Sequence, residues 1–183
     1  DEYPEIEIEL LADTRSRSLS NRETDILIAL SRPKKGRLKS WKLCDYFVKL
    51  YGSQKYLKNN KKISEIKDLI NHKFINYADE LIEFPELNYL QEINNNPNIV
   101  FSSNSLRSQL LAVKNGIGIG LLHSFVAYKE NDLKVILPEK INIKREYWIV
   151  VHENNFHLRR IKAVTDFITS TLNDEKKFLS TVE

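Results

Sequence analysis

Short apolar runs, separated by polar and turn-rich stretches, recur along the whole chain. The segment PEIEIEL at 4–10 alternates acidic and apolar residues, which is typical of a half-buried β-strand. Further apolar runs of strand length predict strands at 24–30, 41–51, 73–78, 99–103, 117–122, 133–138 and 147–151. Many of these runs are apolar throughout, which indicates burial on both faces of a sheet.

Helical patterns fall between several of the strands. Helices are predicted at 53–60, 64–72, 105–115 and 158–172, and 86–94 holds a weaker helical pattern. Ser53 and Ser64 stand at N-cap positions of the first two. Strands that alternate with helices, together with strands that are apolar throughout, predict an α/β protein with mainly parallel sheets.

Three of the five glycines lie in NSLRSQLLAVKNGIGIGLLHSF, residues 104–125. A dinucleotide-binding fingerprint needs a strand, then a glycine-rich turn, then a helix. Here the order is reversed, because the helix comes first and Gly116 ends it as a left-handed C-cap residue. Gly118 and Gly120 fall on one face of the following strand, where a missing side chain lets another element approach closely.

The other end of the same helix is a candidate anion site. FSSNS at 101–105 joins a strand to the helix, so its polar side chains lie near unpaired N–H groups and the positive end of the helix dipole. Such an end binds carboxylates or phosphates. The alternative is that Ser103 only caps its own helix.

Composition excludes several classes of protein. Hydrophobic residues make up 42% of the chain and charged residues 29%, as in ordinary soluble globular proteins, and the net charge of +3 is too small for a nucleic-acid-binding surface. We find no apolar run long enough for a membrane span and no signal peptide. The single cysteine, Cys44, excludes an internal disulfide and favours a reducing compartment.

Catalytic and metal-binding patterns are missing from the sequence. The four histidines are scattered without metal-ligand spacing, and no carboxylate pair or Cys–His pair converges. We therefore expect no catalytic residue, no metal and no cofactor.

The order of six motifs resembles the effector-binding domain of LysR-type transcriptional regulators. The motifs are YPEIEIEL, ETDILIALSRPKKGRL, LYGSQKYL, ISEIKDLINHKFINY, NSLRSQLLAVKNGIGIGLL and YWIVVHENNFHLRRIKAVTDFI, which together span most of residues 3–169. The resemblance implies two Rossmann-like lobes of the type 2 periplasmic-binding-protein fold, with a cleft between them. The first lobe would comprise 1–52 plus 152–183, and the second 53–151.

The resemblance also implies a function. A small effector, often an anion, would bind in the cleft of a homodimer or homotetramer, and DNA would be bound only through a winged helix-turn-helix domain that this sequence lacks. The family's first strand and helix are also missing, so we expect a truncated chain with an exposed apolar groove on the first lobe. In addition, His123 stands where the family usually has proline, and Ser53-Gln54 where it favours Ser-Pro.

Ligands of open α/β sheets bind beyond the carboxyl ends of the strands, and the resemblance points to the same loops. The candidate ligand-binding residues are Ser31, Arg32, Asn76, Tyr77, Ser102, Ser103, Asn104, His123 and Ser124. Hydroxyls and amides with one guanidinium suit a carboxylate-bearing metabolite, with Arg32 as charge partner. Alternatively, Arg32 is a surface residue and His123 is structural.

The leading hypothesis is therefore the effector-sensing, oligomerising domain of a cytoplasmic transcription factor, which is not an enzyme and does not contact a membrane. The alternative is a free-standing solute-binding protein of the periplasmic-binding-protein type. A third hypothesis, an α/β enzyme on a related fold, requires a convergent acid/base set that the sequence does not show.

Overall fold

A computed structural model describes residues 3–12, 24–78, 85–94 and 96–174 of the chain. Seven strands and four α-helices are formed in these residues. The strands are β1 (Ile26–Ala29), β2 (Leu38–Ser53), β3 (Lys73–Asn76), β4 (Asn98–Ser102), β5 (Ile119–His123), β6 (Leu133–Ile136) and β7 (Asn142–His152). The helices are α1 (Gln54–Lys58), α2 (Leu106–Lys114), α3 (Ser124–Ala127) and α4 (Arg159–Asp174).

The seven strands form one mixed sheet around the long strand β2. The order is β1-β7-β2-β5-β3-β4, and β6 also pairs with β2. β7 pairs with β2 from Leu38 opposite His152 to Lys49 opposite Asn142, and β5 and β6 pair with the last residues of β2. β2 therefore lies in the middle of the sheet and links β1 and β7 on one side to β5, β3 and β4 on the other.

The prediction of mainly parallel sheets is wrong for the described strands. Only β3 with β4 and β3 with β5 are parallel, and every other pairing is antiparallel. The long strands β2 and β7 run in opposite directions and set this pattern. A strand that is apolar on both faces does not show whether its neighbours run parallel or antiparallel to it. The reason is that apolar residues fill the core of both kinds of sheet.

Three apolar clusters cover the sheet. The largest contains Tyr46, Val48 and Leu50 of β2, all fully buried, with the apolar side chains of β5 and of residues 87–90. A second cluster lies between α2 and the sheet, and a third lies beneath α4, where Ile161 is buried against Leu43 and Ile149. The apolar face of α4 that the sequence predicts is thus part of the core.

The predicted C-cap role of Gly116 and the close approaches at Gly118 and Gly120 are confirmed, but β5 begins at Ile119, one residue after Gly118. Gly116 has φ +75°, and the N–H groups of Gly116 and Ile117 donate to the carbonyls of Val113 and Ala112, which closes α2 with a Schellman motif. A Cβ on Gly118 would lie 2.6 Å from the Lys73 carbonyl oxygen, and one on Gly120 would lie 2.9 Å from a Val113 methyl. Gly118 and Gly120 therefore permit close packing of a backbone and of a helix.

Two helix starts differ from the predictions. Residues 66–71 form a 3-10 helix rather than an α-helix, and its N-terminus is closed by the Asp68 carboxylate, which accepts from the N–H groups of Ser64 and Glu65. α2 is capped by Ser105, whose hydroxyl oxygen accepts from the Ser108 N–H. The Ser103 hydroxyl accepts from the Ser105 N–H instead and lies two residues too early to cap the helix.

Two further segments also differ. Residues 4–10 form no strand, and Ile8 and Leu10 are largely exposed, because no strand among the described residues lies beside this segment. Residues 86–94 contain two 3-10 turns, Pro85–Leu87 and Leu90–Glu92, instead of one helix. A period-two or helical pattern forms the matching element only where neighbouring residues supply a packing surface.

Candidate functional site

An aromatic group surrounds the buried His123 at the end of β5. The imidazole centroid lies 4.7 Å from the Tyr46 ring and 5.4 Å from the Phe125 ring. Tyr46 of β2 and Tyr147 of β7 stack with centroids 4.3 Å apart. Because β2 and β7 are paired in register over most of their length, residues far apart in sequence meet at one position on the sheet.

The polar atoms of this group form a chain of hydrogen bonds. The Tyr46 and Tyr89 hydroxyls are 3.2 Å apart, the Tyr89 hydroxyl is 3.3 Å from His123 Nε2, and the Tyr147 hydroxyl is 3.4 Å from His123 Nδ1. In a neutral imidazole one nitrogen donates and the other accepts, so the hydroxyls of Tyr89 and Tyr147 take opposite roles towards it.

Burial disfavours the charged form of every residue in this hydrogen-bonded group. It lowers the pKa of His123 to about 4 and raises the pKa of Tyr77, whose ring also contacts Tyr89, to about 12. Desolvation also raises the pKa values of Tyr46, Tyr89 and Tyr147. At neutral pH the group therefore offers uncharged donors and acceptors, which suit recognition rather than acid–base catalysis.

Arg145 of β7 connects the aromatic group to residues 85–94, which we call the Tyr89 segment. Its guanidinium carbon lies 5.5 Å from the centroid of the Tyr89 ring, Nη2 forms an ion pair with the Glu92 carboxylate, and Nε donates to the Glu86 carbonyl at 3.3 Å. One guanidinium therefore contacts both short turns of the segment and holds it against β7.

Arg145 also lines an open cavity of about 390 Å³, which we call the Trp148 cavity. It is lined by Leu30, Ser31, Arg32, Lys144, Arg145, Glu146 and Trp148. Leu30 also packs against the cluster that contains Tyr46 and Tyr89, so the cavity adjoins the aromatic group. Two of the predicted site residues, Ser31 and Arg32, are thus wall residues of a real depression.

The remaining predicted residues fall into two places. Asn76 pairs with Ser102 across β3 and β4, its carbonyl accepts from the Ser103 N–H at 3.1 Å, and Asn104 is exposed beside them. Gln109 of α2 is buried and donates to the Ser103 carbonyl at 2.7 Å. These five residues form a polar edge at the start of α2.

Tyr77, His123 and Ser124 lie instead in the interior. Tyr77 reaches His123 through Tyr89, whose ring is 6.2 Å from the first and 6.1 Å from the second. The buried Ser124 hydroxyl donates to the Phe47 carbonyl at 3.0 Å. The structure therefore joins Tyr77 to His123, places Ser31 and Arg32 in the adjoining cavity, and gives Ser124 a backbone partner within the fold.

Sequence reasoning missed Arg145, Tyr147 and Trp148, because it considered only the ends of strands. A signal was present: if the strand predicted at 147–151 is extended towards its N-terminus, Arg145 and Tyr147, two residues apart, lie on one face of it. The contact of these residues with Tyr46 depends on a pairing that no local pattern specifies.

The described part of the chain has neither a metal-binding cluster nor a membrane-spanning helix. It contains no cluster of three or more His, Cys, Asp or Glu side chains able to hold a metal ion. None of its helices combines the length and the apolar character that crossing a bilayer requires.

Residues 1–173 match the family model described as the LysR substrate binding domain. The chain belongs to this family. As a LysR substrate-binding domain it has the type 2 periplasmic-binding-protein-like fold, so the predicted fold class and family are confirmed. A comparison with curated proteins finds no significant match.

Solved structures similar to this LysR domain are regulatory domains, alone or within a full-length regulator. That of CrgA, a LysR-type regulator from Neisseria meningitidis, has 20% identity and a TM-score of 0.71 over 84% of this chain and 78% of its own. The CcmR regulatory domain from Synechocystis PCC6803, in complex with 2-PG, has 16% identity and a TM-score of 0.67 over 84% and 76%. Full-length AphB from Vibrio cholerae, a virulence activator, has 16% identity and a TM-score of 0.73 over 93% of this chain and 59% of its own.

Proposed function

We propose that this LysR substrate-binding domain senses a small anionic metabolite and thereby controls DNA binding by a winged helix-turn-helix domain. Residues 1–52 plus 152–183 form the first lobe and 53–151 the second. The proposed boundaries are supported by β2 and β7, which end at Ser53 and His152. The protein acts in the cytoplasm as a homodimer or homotetramer.

One observation carries the proposal: β2, β5 and β7 bring Tyr46, His123 and Tyr147 together beside an open, cation-lined cavity. The guanidinium groups of Arg32 and Arg145 in the cavity wall supply attraction for an anion, and the neutral hydroxyls and imidazole beside it, bonded to one another, hold together the strands that carry this wall. These residues lie on β2 and β7, the two longest strands. Ligand binding beside them can therefore change the packing of segments at both ends of the sheet.

A thermal-shift screen against small carboxylates and sugar phosphates tests the proposal. A ligand present at 100 times its dissociation constant adds about 2.7 kcal/mol to the free energy of unfolding. We expect His123→Gln to reduce the ligand-induced increment, and His157→Gln, which changes an exposed histidine, to leave it unchanged. Comparing increments rather than absolute melting temperatures separates lost binding from lost stability.

A second measurement tests the link to DNA. The domain joined to its winged helix-turn-helix partner is titrated on promoter DNA with and without the ligand found in the screen. We expect the ligand to change the affinity or the footprint. If no ligand alters DNA binding by the joined protein, regulation by this domain is ruled out.

A further inference from the structure

The positively charged side chains that line the Trp148 cavity differ in whether a carboxylate pairs with them. Lys144 Nζ lies 3.1 Å from Asp45 Oδ2, and Arg145 pairs with Glu92. For Arg32, in contrast, no carboxylate of the described residues lies within ion-pair distance, although the side chain is exposed at the cavity wall. Relative to the described carboxylates, the charge of Arg32 is therefore available to a ligand.

The one carboxylate in the cavity wall is already engaged. Glu146 Oε1 is 2.7 Å from Lys42 Nζ, and Oε2 accepts from Trp148 Nε1 at 3.1 Å. With one oxygen in an ion pair and the other fixing the indole, Glu146 repels an incoming anion much less than an unpaired carboxylate would. The local balance thus favours a negative ligand.

An apolar surface stands beside the cation. The guanidinium carbon of Arg32 lies 5.7 Å from the centroid of the Trp148 ring, and Leu30 contributes a second apolar wall. An arginine beside an indole face binds a carboxylate while the indole contacts the body of the same ligand. A small carboxylate with a flat apolar ring fits both features.

Arg145 is shared between the cavity and the Tyr89 segment. It lines the cavity, and it also binds Glu92, the Glu86 carbonyl and the face of Tyr89. A carboxylate that enters the cavity meets the same guanidinium that Glu92 occupies, so ligand and Glu92 compete for it.

We propose that the Trp148 cavity binds a small carboxylate with an apolar ring, that Arg32 supplies its charge partner, and that the bound carboxylate competes with Glu92 for Arg145. Binding then releases the Tyr89 segment from β7. The inference rests on the proposed sensing of a small anion, and it adds the class of ligand and the contact that responds to it.

Phenylacetate is the probe and phenylacetamide its uncharged counterpart. Binding is followed by Trp148 fluorescence in the full chain carrying Trp41→Phe, which removes the other tryptophan. We expect phenylacetate to bind with about tenfold or greater preference over the amide, since a charge-assisted hydrogen bond gives that factor. Arg32→Gln should weaken phenylacetate binding by about tenfold or more.

The variant Glu92→Gln tests the competition. Removing the rival carboxylate should tighten phenylacetate binding by about threefold to tenfold, while Arg32→Gln still weakens it. Lys134→Gln is the matched control, because it removes one exposed positive charge on β6 away from the cavity wall and should leave affinity within about twofold.

Several results would overturn the inference. The proposed carboxylate site is wrong if phenylacetate and phenylacetamide bind with equal affinity, or if neither binds up to about 10 mM. It is also wrong if Arg32→Gln leaves the affinity for phenylacetate unchanged. An unchanged affinity in Glu92→Gln removes the competition at Arg145. An effector from the thermal-shift screen that is insensitive to Arg32→Gln defeats this inference and leaves the proposed function standing. Phenylacetate binding as expected, without any ligand effect on DNA, defeats the proposed function alone.

Discussion

At the scale of single residues, His123 shows how burial converts a titratable group into a neutral one. Its imidazole is 4% exposed, and its two nitrogens face the hydroxyls of Tyr89 and Tyr147. Protonation would place a charge among these rings with no carboxylate partner in the hydrogen-bond chain, which is why desolvation lowers its pKa.

The depressed pKa of His123 makes stability depend on pH. In the unfolded chain His123 binds a proton near pH 6.5, whereas in the folded chain it binds one only near pH 4. The contribution of neutral His123 to the free energy of unfolding is therefore fully present above pH 6.5 and is lost as the pH falls from 6.5 to 4. Between pH 7 and pH 5 the loss should be about 2 kcal/mol, measured as the change in urea unfolding free energy.

The His123→Gln variant should lack most of this slope between pH 7 and pH 5. Some slope remains, because burial also lowers the pKa of His72, which is 1% exposed. His157→Gln, at an exposed position, is the matched control and should keep the full slope. A His123→Gln slope equal to that of the unsubstituted protein would show that His123 is not the source.

Gly118 is a second residue with a defined cost of substitution. Its missing Cβ would lie 2.6 Å from a backbone carbonyl oxygen of β3, which cannot rotate away as a side chain can. We expect Gly118→Ala to reduce the free energy of unfolding by about 1–3 kcal/mol in urea titrations. Lys58→Ala, at an exposed position in α1, should change it by less than about 0.5 kcal/mol.

The glycine geometry could be predicted from sequence, and the aromatic group could not. Gly116 ends a helix and Gly118 immediately precedes a strand for reasons contained within a few neighbouring residues. Tyr46 and Tyr147, in contrast, stack only because β2 and β7 pair in one register. His123 was predicted as a site residue from its place after a strand, whereas the residues that define its environment lie elsewhere in the chain.

At the scale of elements, the start of α2 depends on one hydroxyl. The Ser105 side chain accepts from the Ser108 N–H at 3.3 Å, while Ser103 supports the preceding turn. We expect Ser105→Ala to cost about 1 kcal/mol of unfolding free energy, because an N-terminal N–H of the helix loses its partner.

Ser102→Ala is the control for this cap. Ser102 is exposed at the end of β4, and its substitution should have an effect near zero. Urea unfolding of both variants decides the assignment. A loss for Ser105→Ala no larger than that for Ser102→Ala would contradict the placement of the cap.

Element positions were predicted better than element types. The α1 helix begins after Ser53 as the sequence indicates, since the Ser53 hydroxyl accepts from the Tyr56 N–H within one turn. Residues 66–71, however, wind as a 3-10 helix, with Ile70 exposed and Leu69 buried. The choice between these helix types depends on packing against residues outside the segment, and a local pattern contains no such information.

At the scale of the whole molecule, the ladder between β2 and β7 forms the centre of the sheet, with β1 and β4 at its edges. We expect native-state hydrogen exchange to be slowest at the amides of Tyr46, Val48 and Ile149, which are fully buried, and much faster along the four-residue strand β1. Mass spectrometry of peptides from each strand measures this. Equal protection of β1 and β2 would contradict a single central ladder.

The α/β class and the family could be predicted from the sequence, because each motif is a short local pattern and the motifs occur in a fixed order along the chain. The antiparallel topology was not, because strand direction is decided by which distant run pairs with which. The division into lobes at 52/53 and 151/152 remains a prediction, although both points fall at the ends of the long strands.

The distance along the chain between these two strands has a consequence during synthesis. Lys42 of β2 meets Glu146 of β7, 104 residues later. At a ribosomal rate of about 5–20 residues per second, β2 waits roughly 5–20 s for its principal neighbour. In that interval an apolar strand with an open edge is exposed to other nascent chains, so yield in the cell should depend on chaperones that shield it until β7 emerges.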